Sequence, residues 1–537
     1  MASLPVINRL ANPSVVITLL CAAVYAPFSN KGFHMDSPVT VYVAGQMLKN
    51  PLNPALDDYG RQFVAWNHTD LPATSAFYIT PHPPLVPLYL APFVALFGEN
   101  ELALNWAMFP FYLLSAFFFY KLASLLLSRF RISATLLFCL CPVVLVNSQN
   151  VMVDTPLMAL CMGSFYFMFR GGGAKDACAA GLFAALACLT KFTGGTVVLC
   201  GLLYYAYAKK WKECLVFFMP FFLFYGLWEA HNYVVWGKLQ VLSNGHAHYI
   251  LGDLRYRLER LVSFFGGTIV LPVFPLAFAL AIKKYRMPAI VLITAVLVWS
   301  ALLMYHLHYS VWSASLYWLS ASAGAFLVYG AFVTLPVAFD RRKAACLTFH
   351  LALQVIGGMF LTLYASRYLL PVAFVGILFL ALMVEQLPAA VSKRAVWTTL
   401  VATSGLVSVL LSAADFQFVN AERRAAADIR ALYPDNRVFF CGRLGWLYYS
   451  HRAGFLDMLS GHTRPEKGDI IVRNAASGDY SGFFTDTTHL AVLGKLRYPL
   501  LPLRTMTGRS GFYGDDRLPY AWVGPPFDRV FCLYRRK

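Results

Sequence analysis

The sequence predicts an all-α polytopic membrane domain of about thirteen transmembrane helices, followed by a small C-terminal α/β domain outside the membrane. Three observations predict it. The 537-residue chain is 59% hydrophobic and only 13% charged, where a soluble domain carries about 25% charged residues. Apolar runs near the length of a bilayer span recur along the first three quarters, with Lys and Arg gathered in the short turns between them. From Asp415 onward the charges become frequent, and Gly and Pro punctuate short apolar runs instead. The net charge of +18 is therefore topological, a cytoplasmic bias of basic turns, and the reading includes no nucleic-acid partner.

The first span runs roughly Val15 to Phe28 and is read as retained, since its basic flanks are weak and no small-residue cleavage site follows it. The first outer loop, 29–101, comes next. Asp36-Ser37-Pro38 and then Val39 to Lys49 read as an N-capped helix lying along the membrane interface. Leu85 to Phe97 is too short to span and holds Pro87 and Pro92, so it reads as interfacial or half-inserted. The second span, Leu102 to Leu127, ends at the basic turn Ser128-Arg129-Phe130-Arg131.

Later spans alternate in the same way. Ile132 to Val146 leads out to Asn147-Ser148-Gln149-Asn150 and Asp154, and the fourth span returns to Arg170 and Lys175. Ala177 to Leu189 and Thr193 to Ala208 flank an outer Thr190-Lys191-Phe192. The seventh span reaches Trp236 and an outer loop continuing to Arg260. Further inner turns fall at Lys283-Lys284-Tyr285-Arg286, Arg341-Arg342-Lys343 and Lys393-Arg394. The eleventh span exits at Tyr364 to Arg367, and Ala395 to Ala414 closes the membrane domain, 1–414. In 415–537, Phe416 to Tyr433 reads as an amphipathic helix, and Arg437–Cys441, Asp469–Val472 and Arg529–Tyr534 read as strands. Most of the eleven cysteines fall within spans and read as packing residues. Cys441 and Cys532 lie in the polar region, where a disulfide between them is open.

Several ionisable residues fall at the expected outer ends of spans. Asp36 is an acid at a membrane face, suited to deprotonating a hydroxyl; it equally suits a helix cap. Asp154, before Thr155-Pro156, poses the same choice. His82 sits between Pro81 and Pro83-Pro84, which restrict its backbone. Lys191 is a cation that costs several kcal/mol in this setting unless paired or wet, so it serves as an acid's partner or as a phosphate ligand. Arg367, in Ser366-Arg367-Tyr368-Leu369-Leu370-Pro371, offers a fork that fits phosphate oxygens. His246 and His248, like His306 and His308, form an H-x-H pair, which by itself fixes no metal geometry. No cofactor is called for, and a divalent metal is open but unsupported. Asn67-His68-Thr69 fits a glycosylation acceptor pattern.

Taken in order, the acid after the first span, the closing His82-Pro83-Pro84-Leu85, Asp154-Thr155-Pro156-Leu157, Leu189-Thr190-Lys191 and Arg367-Tyr368-Leu369-Leu370-Pro371 resemble the GT-C glycosyltransferases of the protein O-mannosyltransferase type. They also resemble the related lipid A aminoarabinose transferases, whose layout has thirteen spans and an outer C-terminal domain. The resemblance covers about residues 10 to 415. It implies transfer of a sugar from a polyprenyl-phosphate donor to a lipid, glycan or protein acceptor on the extracytoplasmic face, with inversion. By the same resemblance Asp36 is the general base and Asp154 orients acceptor or base. Lys191, Arg367 and His82 bind the donor phosphate. Tyr368 and the loop around His231 to His248, with His246 and His248, shape the substrate pocket. Two departures stand out. Asp36-Ser37 replaces the family's usual Asp-Glu pair, and His82 stands where the aminoarabinose transferases carry Lys, which turns the donor expectation toward a hexose. The alternative class is a transporter or lipid flippase without transferase chemistry, for which no internal repeat speaks.

Overall fold

A computed structural model describes residues 12–52, 82–243, 254–307, 310–360, 365–442, 444–458, 464–474, 488–506, 512–513 and 516–537. The chain begins with α1 (Pro13–Tyr25), capped by the Asn12 side chain, which accepts from the Ser14 amide at 3.0 Å. Two helices of the first outer loop follow, α2 (Ser37–Lys49) and α3 (Leu85–Phe97). Next comes α4 (Glu101–Leu126), whose cap Asn100 accepts from Ala103. Then come α5 (Arg131–Cys139), α6 (Pro142–Ser148), α7 (Asp154–Arg170), α8 (Ala174–Thr190) and α9 (Gly195–Tyr207). α10 (Trp211–Phe221) passes through a π-turn into α11 (Leu227–Trp236). The membrane part closes with α12 (Leu254–Thr268), α13 (Val273–Ala281), α14 (Lys283–Leu307), α15 (Val311–Ala338), α16 (Arg341–Phe360), α17 (Leu370–Gln386) and the first part of α18 (Lys393–Leu432).

Among the described residues six helices are long and apolar enough to cross a membrane, and up to eight if each of two bent pairs is one span. The chain therefore has several membrane-crossing helices, while the expected thirteen are not each resolved by length and composition. The reason is local. α1 has 13 residues, or about 20 Å of helix at 1.5 Å per residue, short of a hydrocarbon core of about 30 Å. α5 and α6 meet at 51° because Pro142, at the first turn of α6, lacks the N–H that would continue the ladder. α12 and α13 meet at 86°, with Pro272 at the break. α12 is also a correction: the expected outer loop from Trp236 to Arg260 holds the start of a helix. That helix buries Arg257, Glu259 and Arg260, and the charges hid it from an apolar-run reading.

α17 is the innermost span; from Ser366 to Gln386, 89% of its apolar window is buried. Its hydrophobicity on all sides is what a fully surrounded helix requires. α12 and α15 approach closely through facing glycines. A Cβ on Gly266 would overlap the Ser320 carbonyl, and one on Gly324 would overlap that of Val262. This contact fixes α12 beside the turn that opens α17.

α18 runs 40 residues without a break, so the expected division between 414 and 415 falls inside one helix. The anticipated amphipathic helix is its outer part. Beyond it lie β1 (Val438–Cys441), α19 (Leu444–Arg452), β2 (Leu456–Asp457), β3 (Ile470–Asn474), β4 (Leu490–Pro499), β5 (Leu503–Arg504), β6 (Ala521–Trp522) and β7 (Asp528–Arg536). The larger sheet has the order β2-β1-β3-β7-β4, with β1 parallel to β2 and β3, and β7 antiparallel to β3 and β4. Its inner face shares one core with α2, α3 and α19, through Val39, Val43, Met47 and Leu90 against Val438, Phe440, Trp446 and Phe531. Cys441 and Cys532 do not pair: both face Arg473 across β3. Two strand spacings put them about 9–10 Å apart, beyond the roughly 7 Å reach of a disulfide.

Candidate active site

Four elements deliver charged side chains to one end of the bundle. Asp36 is the N-cap residue of α2, yet its side chain caps nothing. It pairs instead with Arg367, Oδ2 to a guanidinium nitrogen at 2.8 Å. Arg367 stands on the single helical turn Ser366–Leu369 that opens α17, and its guanidinium also meets the Met152 sulfur at 3.3 Å. Asp154 is the first residue of α7, whose N-cap position is held by Val153; its Oδ1 accepts from Lys191 Nζ at 2.7 Å. Lys191 is the extended residue just after α8. There the chain turns so sharply that a Cβ on Gly194 would lie 2.5 Å from the Ala187 backbone. The alternative of two simple helix caps is therefore excluded for both acids.

Tyr368 joins the two pairs. The Lys191 ammonium lies 4.3 Å from its ring centre and the Arg367 guanidinium 5.3 Å, distances at which a ring face attracts cations. His82, just before α3, acts electrostatically on both Asp36 and Asp154. Asp36, His82, Asp154, Lys191, Arg367 and Tyr368 thus share one neighbourhood, although they are scattered along the chain.

Burial would raise the Asp36 carboxyl, but Arg367, with His82 and Lys191 adding, outweighs it and holds the group below the usual carboxylate range. Burial, reinforced by Lys191 and offset in part by the two acids, pushes the His82 imidazole down to about 4. At neutral pH the cluster therefore holds an ionised Asp36 and a neutral histidine. Asp36 keeps 27% of its side chain accessible, whereas Arg367 is 4% accessible and Asp154 5%. Asp36 is the most accessible of the four side chains. Arg367 Nε is buried and meets no acceptor among the described residues.

His246 and His248 lie outside the described residues, as do Asn67, His68, Thr69 and His308. His231 contacts the Leu52 carbonyl at 2.9 Å. Among the described residues no group of three His, Cys, Asp or Glu is placed to hold a metal ion.

Three features were missed from sequence. Arg260 is fully buried over Tyr256 and Phe264, on the helix that packs against the Arg367 turn. The spacing Arg257-x-x-Arg260 within a supposed loop was the available signal, since buried charge in such a chain is a functional candidate by default. Asp415 carries a buried network with Lys31 and Tyr513. An apolar cavity of about 540 Å³, lined by Trp312, Leu316, Leu503, Leu518, Tyr520 and Trp522, shares Leu316, Leu503 and Tyr520 with the apolar cluster around Met35.

Residues 81–228 match the family model described as dolichyl-phosphate-mannose-protein mannosyltransferase. That stretch holds His82, Asp154 and Lys191. No curated protein matches the chain by sequence. Similar solved structures include ArnT from Cupriavidus metallidurans bound to undecaprenyl phosphate, at 13% identity and a TM-score of 0.43, covering 97% of this chain and 97% of that one. Another is the arabinofuranosyltransferase AftD from Mycobacteria, at 14% identity and 0.39, covering 99% of this chain and 40% of that one. A third is the oligosaccharyltransferase AglB from Archaeoglobus fulgidus in complex with an inhibitory peptide and a dolichol-phosphate, at 12% identity and 0.47, covering 86% and 69%.

Proposed function

We propose, from the premise that a chain matching the mannosyltransferase model is a membrane glycosyltransferase of GT-C type, that it moves a hexose from a polyprenyl-phosphate donor to an acceptor hydroxyl at the extracytoplasmic face. The observation that carries the proposal is the convergence of two carboxylate–cation pairs, Asp36–Arg367 and Asp154–Lys191, around Tyr368.

Asp36 is the general base, being ionised and the more accessible of the two acids. It takes the acceptor's proton as that oxygen attacks the anomeric carbon. The bond from that carbon to the donor phosphate oxygen breaks with inversion, and polyprenyl phosphate leaves with the electron pair. Lys191 and Arg367 face the charge that grows on the leaving phosphate. Arg367 has its Nε–H to give, and Lys191 keeps ammonium hydrogens beyond the one spent on Asp154. Asp154 orients Lys191, and neutral His82 has one ring N–H to donate and one ring nitrogen to accept. Tyr368 walls the pocket.

Helix direction supports the extracytoplasmic side. α7 starts with Asp154 and ends with Arg170, and α8 runs from Lys175 to the Lys191 step. α17 starts beside Arg367 and is followed by Lys393-Arg394 at the start of α18. The ends away from the cluster carry the basic turns, which the positive-inside bias assigns to the cytoplasm.

The test is turnover of radiolabelled polyprenyl-phosphate hexoses by the purified protein. Asp36→Asn, which keeps shape and removes the base, should lower kcat by about 10²–10⁴-fold and leave polyprenyl-phosphate binding intact. Wild-type turnover by the Asn variant would remove Asp36 as the base. Donor movement across proteoliposomes without sugar transfer would replace the proposal with transport.

A further inference from the structure

The loop that presents Asp36 is gripped from later parts of the chain. Asn105 Nδ2 donates to the carbonyls of Ser29 and Lys31 at 3.0 and 2.8 Å. The Gly32 amide donates to Asn420 Oδ1 at 3.0 Å, and the Phe33 amide to the Tyr449 hydroxyl at 2.7 Å. Met35, immediately before Asp36, has φ +50°, a left-handed conformation that is strained for a non-glycine residue. Such a residue persists only where its surroundings over-determine it. Here the surroundings are Val146, Met152, Leu411, Phe512, Tyr513 and Tyr520.

One carboxylate ties this grip together. Asp415, fully buried, accepts from Lys31 Nζ at 2.8 Å, from the Thr505 hydroxyl at 2.7 Å and from the Tyr513 hydroxyl at 3.2 Å. His34 stands 3.9 Å away and meets the Tyr513 ring edge-on at 4.7 Å. The Tyr513 hydroxyl in turn accepts from Asn150 Nδ2 at 2.7 Å. Next to Tyr513, the Phe512 carbonyl accepts from the Ser366 hydroxyl at 2.9 Å. The pair Phe512–Tyr513 therefore braces both segments that bring Asp36 and Arg367 together, one through Met35 and the other through Ser366.

We infer that Tyr513, with Asp415 as its anchor, is a positioning residue for the Asp36–Arg367 pair, so that the C-terminal segment forms part of the catalytic apparatus. The inference rests on the proposed reading of Asp36 as the base. A structural ion pair alone would need Lys31 and Asp415 but not the Tyr513 hydroxyl. That hydroxyl adds no charge and links Asp415 to the Asn150 turn, at 3.2 and 2.7 Å.

The test is Tyr513→Phe, which keeps the ring against Met35 and removes one hydroxyl, with Thr505→Val as a second variant that loosens the anchor from another side. Amide hydrogen exchange read by mass spectrometry should quicken within residues 31–37 in both variants. The kcat should fall about 10- to 100-fold, the loss expected of a small misplacement of a reacting group. The KM for donor should stay within about twofold, and the thermal midpoint near that of wild type, as a binding-neutral positioning role requires. Unchanged exchange in residues 31–37, or unchanged kcat with active wild type, overturns the inference. A rise in KM with kcat unchanged overturns it too. Quickened exchange in a protein that transfers no sugar overturns the function instead and leaves the bracing of the loop supported.

Discussion

Lys191 offers the sharpest separation of structure from chemistry. Its ammonium sits 2.7 Å from Asp154, with side-chain accessibilities of 10% and 5%, and 4.3 Å from the Tyr368 ring centre. Lys191→Met leaves a buried carboxylate without its ion-pair partner, a change that costs about 3–5 kcal/mol. Asp154→Asn is gentler, because the ammonium retains the Tyr368 face, an attraction of about 0.5–2 kcal/mol, and an amide oxygen in place of the carboxylate. The double variant Lys191→Met/Asp154→Asn removes both charges and should regain most of the stability lost by Lys191→Met. Turnover should behave differently. If Lys191 faces the leaving phosphate, both variants that lack it stay about 10²–10³-fold down in kcat, whatever their stability. Thermal unfolding of the detergent-solubilised protein and initial rates at saturating acceptor measure the two quantities side by side. A double variant that regains both stability and wild-type turnover would refute the phosphate role and leave Lys191 as a partner of Asp154 only.

With Asp36 held below the usual carboxylate range and His82 at about 4, kcat/KM should be flat from about pH 8 to 5 and fall only as pH approaches about 4; an inflection near 6.5, the ordinary histidine value, would contradict the buried neutral imidazole. Stability carries the opposite fingerprint: because the folded His82 binds a proton less readily than the unfolded one, its contribution is complete above about pH 6.5 and is lost as pH falls from there toward about 4, so the thermal midpoint should decline before activity does. Gly324→Ala forces a methyl into the Val262 carbonyl and should cost about 1–3 kcal/mol by overpacking, read as a lower thermal midpoint, whereas Gly357→Ala, with open space at its Cβ, should be neutral or stabilising. Deleting residues 415–537 should yield no folded membrane domain by size-exclusion chromatography, since it leaves the fully buried Lys31 without Asp415; a monodisperse, active truncation would show that the last quarter is dispensable.

The helical character of the chain was legible because burial in lipid writes itself as composition. The span expected at Leu102 to Leu127 appears in the structure as Glu101–Leu126. What composition could not report was length against direction. α5 and α6, or α12 and α13, read as continuous apolar or loop sequence until the proline at the break bends them. The charged stretch from Arg255 to Arg260 looked like a loop because a helix buried by its polar groups carries no apolar signature. The change in composition at Asp415 falls within one continuous helix. A helix leaving an apolar environment alters its residues without altering its hydrogen bonds. At the candidate site, residue type marked Asp36, His82, Asp154, Lys191 and Arg367 as unusual. Which acid meets which cation was not legible, since the pairing depends on how α7, α8 and α17 pack. The roles of Tyr513 and Asp415 were invisible for the same reason: each is an ordinary residue made specific by contacts far along the chain.

The pairing itself constrains the chemistry. Two carboxylates and two cations leave the unliganded cluster near neutral, which lowers the cost of keeping four formal charges largely away from water. That balance also decides where charge goes when the reaction proceeds. In the proposed reaction, as the acceptor proton arrives on Asp36, the carboxylate loses its charge and Arg367 loses the partner that holds it at 2.8 Å. At that moment the sugar–phosphate bond breaks and the departing phosphate takes on one more negative charge. The positive charge released on one side of the sugar is thus available to the negative charge created on the other, and no ion need enter from solvent. An isolated arginine without Asp36 would already bind the donor phosphate tightly before reaction, which narrows the difference between ground-state and transition-state binding on which kcat depends. On the proposed reading the Asp36–Arg367 pair is therefore a coupled unit, in which the base and the electrostatic stabiliser change state together.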